Sequence, residues 1–144
     1  MERLQHLQTF IGKVFTDSPS PFMRWLHPTV LSATEGQLEF QYTVRHEMTN
    51  PAGTLHGGVT AAIIDDIMGA TLYTLNSETD HFYSTLNNVI DYFASAREGD
   101  TIIAVTSIVK KGKQIINLQC EVWNNNKEKL LAKGYSNVIK TPLR

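Results

Sequence analysis

The sequence is short of several things, and each shortage closes off a class of function. It has one cysteine, Cys120, so no disulfide framework can form within the chain. Cys120 falls in a strand-like run, 115–123, where a cysteine reads as a small core residue rather than a reactive thiol. Charge of either sign is not in excess: 13 Lys and Arg stand against 14 Asp and Glu. The basic residues are scattered, so a nucleic-acid partner is not expected. No apolar run reaches membrane-spanning length, because Asp65 and Asp66 interrupt the longest one. The amino terminus, residues 1–6, lacks the apolar core of a signal peptide, so a cytoplasmic location is expected. There is no Gly-x-Ser-x-Gly elbow, which disfavours a serine hydrolase. His6, His27, His46, His56 and His81 show no zinc-type spacing, so no metal site is expected.

What is present is one domain's worth of chain, residues 1–144. A chain of this length buries about two-thirds of its unfolded surface and needs no disulfide or metal staple. Leu4, Leu7, Ile11 and Val14 recur at three- and four-residue spacing and predict an amphipathic helix over 2–15. The stretch 17–21 ends it and can cap a short second helix over 22–26. A strand is predicted over 29–34. Leu38, Phe40, Tyr42 and Val44 alternate with polar residues and predict another. Four more strands follow at 81–94, 101–110, 115–123 and 130–140, joined by turns at 98–100, 111–113 and 124–127. Strands joined by hairpins imply an antiparallel sheet with helices on one face. The fold class is α+β, a sheet of about six strands wrapped around one long central helix.

That helix organises the rest. Turn chemistry over 49–58, with Asn-Pro, Gly and His-Gly-Gly, leads into an apolar run over 59–75. A helix apolar on nearly every side is a buried one. Asp65 and Asp66 sit in its middle with no Lys or Arg in the run. A buried carboxylate costs several kcal/mol unless something compensates, so at least one is expected to do chemistry. Gly58, Ala61, Ala62, Asp65 and Gly69 share a stripe of small residues that lets another backbone come close. Asp66 shares its face with Val59, Ala62, Ile63, Ala70 and Tyr73, which reads as packing against the sheet. Asp65 is therefore the candidate. Polar residues at 76–80 are expected to break the helix.

Gly57 and Gly58 open the helix. Free N–H groups there suit a developing oxyanion; a plain glycine helix start reads equally well. His56 reads either as a cap or as a functional group. Lys110, Lys111 and Lys113 around Gly112 form a basic hairpin, either solvated or set to meet phosphates. Asp65 lies eight residues beyond Gly57, on the order of 12 Å along one helix. That is too far for both to touch one carbonyl. A second, antiparallel helix from a two-fold partner would bring them together, which predicts a dimer with two shared sites.

The set Asn50, then His56-Gly57-Gly58, then Asp65, inside this element order, resembles the hotdog-fold acyl-CoA thioesterases of the phenylacetate-pathway (PaaI-like) type. Residues 109–113 and 130–134 also match that family's last strands. The resemblance implies hydrolysis of acyl-CoA to free acid and coenzyme A, without cofactor or metal. It implies Asp65 as base or nucleophile and Gly57 as the N–H that polarises the thioester carbonyl. It further implies that Asn50 and His56 orient thioester or water, and that Thr85 holds water. Gly58 and the lysines Lys110, Lys111 and Lys113 are the implied substrate-binding groups. Asn87 and Asn88 depart from the family, standing where relatives often place an acidic residue. The expected assembly is a homodimer, building to a homotetramer. The alternatives are an enoyl-thioester hydratase or dehydratase of the same fold, and a non-catalytic acyl-CoA-binding protein. Sensors of the latter kind add a DNA-binding segment, and the short, non-basic stretch before Thr29 argues against one.

Overall fold

A computed structural model describes residues 2–75 and 81–142. The elements are α1 (Arg3–Gln8), α2 (Pro21–Leu26), β1 (Thr29–Thr34), β2 (Gln37–Thr43), α3 (Gly57–Tyr73), β3 (His81–Tyr92), β4 (Thr101–Lys111), β5 (Ile115–Asn124) and β6 (Leu130–Pro142). The six strands form one antiparallel sheet in the order β1-β2-β4-β5-β6-β3. The stretch 76–80 lies outside the described residues, so the expected helix break there has no structural description. No helix among the described residues is long and apolar enough to cross a membrane.

The sheet curls around α3. The helix buries Thr60, Ile63, Ile64, Ile67, Met68, Thr71 and Leu72, a stripe at three- and four-residue spacing. Phe40, Tyr42, Ile102, Ala104, Leu118, Cys120 and Val138 are among the core residues packed with it. Cys120 is fully buried, and burial pushes its thiol well above the ordinary range, as a structural cysteine requires. Helix and sheet meet closely at Gly134, where an added Cβ would sit 2.7 Å from the Ile64 side chain. A buried hydroxyl chain ties the layers: Thr71 Oγ1 donates to the Ile67 carbonyl at 2.8 Å and lies 2.6 Å from Thr106 Oγ1, which accepts from the Leu38 N–H. These groups are satisfied within the core.

Two expectations are corrected. The first helix ends at Gln8 rather than running to residue 15. Thr9 Oγ1 donates to the His6 carbonyl, and Gly12 adopts φ +84°. Residues 9–15 instead run beside β1: the Gly12 N–H donates to the Val30 carbonyl and the Val30 N–H to the Lys13 carbonyl. The open edge of β1 outcompetes a further helical turn. The second correction concerns α3, which is not covered on all sides. Gly57, Gly58, Asp65, Gly69 and Tyr73 are exposed within the chain. The sheet covers the opposite face, so the stripe of small residues looks outward.

β3 is the other edge of the sheet and pairs with β6 alone among the described strands. Its Phe82, Leu86, Val89 and Tyr92 are all largely exposed, with Phe93 just beyond. A long, apolar, unpaired edge is a template for pairing with another strand.

Candidate active site

The loop before α3 is held by its own side chains. Asn50 Oδ1 accepts from the N–H groups of Ala52 at 3.0 Å and Thr54 at 3.1 Å, the local bonding that Asn favours in turns. Its amide lies 2.8 Å from Thr54 Oγ1. The Leu55 N–H donates to the Ala96 carbonyl and the His56 N–H to the Met48 carbonyl. The loop therefore delivers His56 to the helix start in one position.

His56 caps the helix. Its Nδ1 accepts from the Gly58 N–H at 2.9 Å, which requires Nδ1 to be unprotonated and leaves the proton of the neutral ring on Nε2. An added Cβ at Gly58 would lie 3.0 Å from this ring. Gly58 thus serves the cap, and its N–H is engaged by His56. The Gly57 N–H donates to nothing among the described residues. It lies at the positive end of α3, a suitable place for a developing negative charge. The Gly57 carbonyl accepts from the Tyr92 hydroxyl at 2.9 Å, which fixes the helix start to β3.

Two turns along α3, Asp65 faces outward. Its Oδ1 accepts from Asn88 Nδ2 at 3.0 Å, and Thr85 Oγ1 lies 3.4 Å away. A bulge at Leu86 creates this pair: Thr85 is opposite Val138, whereas Asn87 is opposite Asn137. In a regular strand, positions 85 and 88 would point to opposite faces. The extra residue puts both on the side that looks at α3, the side of Ile90 and Tyr92.

Asp66, next along the helix, is half-buried. One of its oxygens is inaccessible and without a partner among the described residues. Burial, and then the neighbouring Asp65 carboxylate, push its acid group up to about 7. Asp66 borders an apolar cavity under the amino-terminal segment, and it is also near enough to Tyr42 of β2 to act on its hydroxyl. The cost of a buried carboxylate, assigned by sequence to both aspartates, falls on Asp66. The hydroxyl of Tyr42 is likewise buried without a partner among the described residues, and desolvation, reinforced by Asp66, raises its pKa.

The chain thus forms two half-constellations. Asn50, His56 and Gly57 gather at the start of α3, and Asp65 and Thr85 gather farther along it. Lys110, Lys111 and Lys113 stand on the exposed β4–β5 hairpin, whose Ile115 pairs with Ile139 on β6. Sequence reasoning missed Asn88 and Tyr92 as members of these groups. For Tyr92 the signal was a two-residue period back through Ile90 to Asn88. For Thr85 the bulge breaks that period, and nothing in the sequence marks the bulge. No cluster of three or more potential metal ligands exists among the described residues.

The thioesterase superfamily model matches residues 52–131. Acyl-coenzyme A thioesterase 13 of Homo sapiens is 32% identical over 106 residues, which is 74% of each chain. The solved thioesterase superfamily member 2 from Mus musculus is 27% identical, with a TM-score of 0.79 covering 96% of this chain and 98% of that one. A Streptococcus mutans protein solved bound to acetyl CoA is 25% identical, with a TM-score of 0.72 covering 81% of this chain and 90% of that one.

Proposed function

The chain belongs to the thioesterase superfamily, and from that premise we propose that it hydrolyses acyl-CoA thioesters to the free acid and coenzyme A. The observation that carries the chemistry is Asp65, an outward-facing carboxylate held by Asn88 on one oxygen. Its other oxygen is left to take a proton. In this reading the Gly57 N–H donates to the thioester oxygen as negative charge develops there, and the His56 Nε2–H orients the thioester. Asp65, as general base, removes a proton from a water held by Thr85. The water oxygen bonds to the acyl carbon, the carbon–sulfur bond breaks, and the proton passes to the departing sulfur.

The site requires two chains. Gly57 and Asp65 are about 12 Å apart along α3. The exposed start of α3 at Gly57 and Gly58 and the unpaired edge of β3 support a two-fold partner that sets one chain's Gly57 beside the other's Asp65. A homodimer, with further assembly to a homotetramer, is part of the proposal. So are the phosphate contacts of Lys110, Lys111 and Lys113 and a cytoplasmic location, where a lone buried thiol such as Cys120 is ordinary.

Thiol release from acyl-CoA, followed beside enoyl-thioester absorbance, tests the reading. Thiol release that is lost in Asp65→Asn is expected. Absorbance change without thiol release would assign a hydratase instead, and tight binding with neither would assign a binding protein.

A further inference from the structure

The amino-terminal segment lies outside the stretch matched by the family model, residues 52–131. It is nevertheless firmly built. Ser20 caps α2 by accepting from the Met23 N–H. Arg24 donates to the Ser18 carbonyl, and Gln8 reaches across to the Ala33 carbonyl at 3.0 Å. His6, Phe10 and Phe15 pack edge to face. The segment does not close down on α3. Between them lies a cavity of about 310 Å³, with Leu7, Phe15 and Met23 on one side and Asp65, Gly69 and Ala70 on the other.

Three observations give this cavity an occupant. It shares Asp65 with the candidate active site, so a group attached to a carbonyl beside Asp65 reaches it without crossing the protein. Its walls are mainly apolar, and Asp66, the acid at its side, is partly neutral near pH 7 because burial raises its pKa to about 7. Gly69 leaves room that packing does not demand: a Cβ there would meet nothing within 4 Å. Glycine inside a helix is less favourable than alanine, and the vacant side-chain position widens the cavity. The volume holds about ten groups the size of a water molecule or a methylene.

We propose that this cavity receives the acyl chain of the thioester, a straight apolar chain of up to about ten carbons, and that residues 7–23 set its length. The assignment rests on the hydrolase reading of Asp65. Each methylene buried there should raise kcat/KM roughly three- to fourfold until the cavity is full.

The test is kcat/KM for acetyl-, hexanoyl-, decanoyl- and hexadecanoyl-CoA with wild type, Gly69→Ala, Gly69→Leu and Met23→Ala, alongside the mass of each assembly. Wild type should climb to about ten carbons and then level off. Gly69→Leu should lower the decanoyl-to-acetyl ratio at least tenfold with assembly unchanged, and Gly69→Ala should fall between. Met23→Ala, by enlarging the opposite wall, should move the optimum to longer chains. Equal loss on all substrates, or a changed assembly mass in Gly69→Leu, would show that Gly69 faces a partner helix and would overturn the proposal. Unaltered chain-length profiles in both Gly69→Leu and Met23→Ala would also overturn it. No thiol release from any acyl-CoA by wild type would instead sink the hydrolase reading itself.

Discussion

Asn88 Nδ2 donates to Asp65 Oδ1 at 3.0 Å, joining the exposed carboxylate of α3 to the edge strand β3. The bond fixes one carboxylate oxygen and aims the other. It exists because the bulge at Leu86 brings Asn88 onto the helix-facing side together with Thr85. A hydrogen bond to a charged acceptor is worth about 1.5–3 kcal/mol. Asn88→Ala should therefore lower kcat by roughly ten- to a hundredfold while KM changes little. Asp65→Asn, which removes the proposed base, should cost about 10²–10⁴ in kcat with the fold intact. Steady-state kinetics with circular dichroism as the folding control check both. Wild-type turnover in Asp65→Asn would remove Asp65 from the mechanism.

Sites shared between two chains can be tested by mixing two inactive variants, His56→Ala and Asp65→Asn. In a heterodimer, one site carries both lesions and the other carries neither. Random mixing makes half the dimers heterodimers, so about a quarter of wild-type activity should return. Thiol release is measured before and after co-refolding, with exchange verified by mass spectrometry of differently tagged chains. Verified exchange without recovered activity would place each site within one chain.

Stability should depend on pH through Asp66. Its acid group is raised from 3.8 to about 7 on folding, so between those values the native state binds the proton more tightly than the unfolded chain. Stability is then greatest below the unfolded value, falls as pH rises toward 7, and levels off above it. The loss is on the order of 4 kcal/mol at most. Asp66→Asn cannot ionise and should show a flatter profile, with higher stability than wild type at pH 8. Urea denaturation at pH 5, 6, 7 and 8 measures this. A wild-type curve that rises over this range would contradict the burial assigned to Asp66.

The basic hairpin gives a substrate-specific prediction. Lys110→Ala combined with Lys111→Ala should raise KM for acyl-CoA and weaken its salt dependence. Acyl-pantetheine, which lacks the nucleotide, should be hydrolysed as before. Equal loss on both substrates would indicate damage to the β4–β5 hairpin rather than lost phosphate contacts.

The sequence by itself determined the element order and the sheet. Alternation over Leu38, Phe40 and Tyr42 and the hairpin turns after β4 and β5 are local signals, and they become antiparallel strands wherever their apolar face finds a cover. It also determined α3, where glycines, a capping histidine and a run of helix-compatible apolar residues agree. His56-Gly57-Gly58 and Asp65 were legible for the same reason: each is marked by residue type at a fixed spacing on a regular element.

Tertiary structure decided the rest, because it turned on competition between distant parts. Residues 9–15 have the spacing of a helix, but β1 offered them backbone partners and Gly12 could take the left-handed turn. The apolar run of α3 does not say how much of it the sheet can reach; six strands cover one face and leave Asp65 outside. That division moved the burial cost to Asp66. One unpaired residue, Leu86, turned Asn88 toward Asp65, and a bulge is a property of two strands in register, not of one strand's sequence. The distance between Asp65 and Gly57 is the exception, set locally: an α-helix advances about 1.5 Å per residue, so eight residues hold them apart whatever the sheet does.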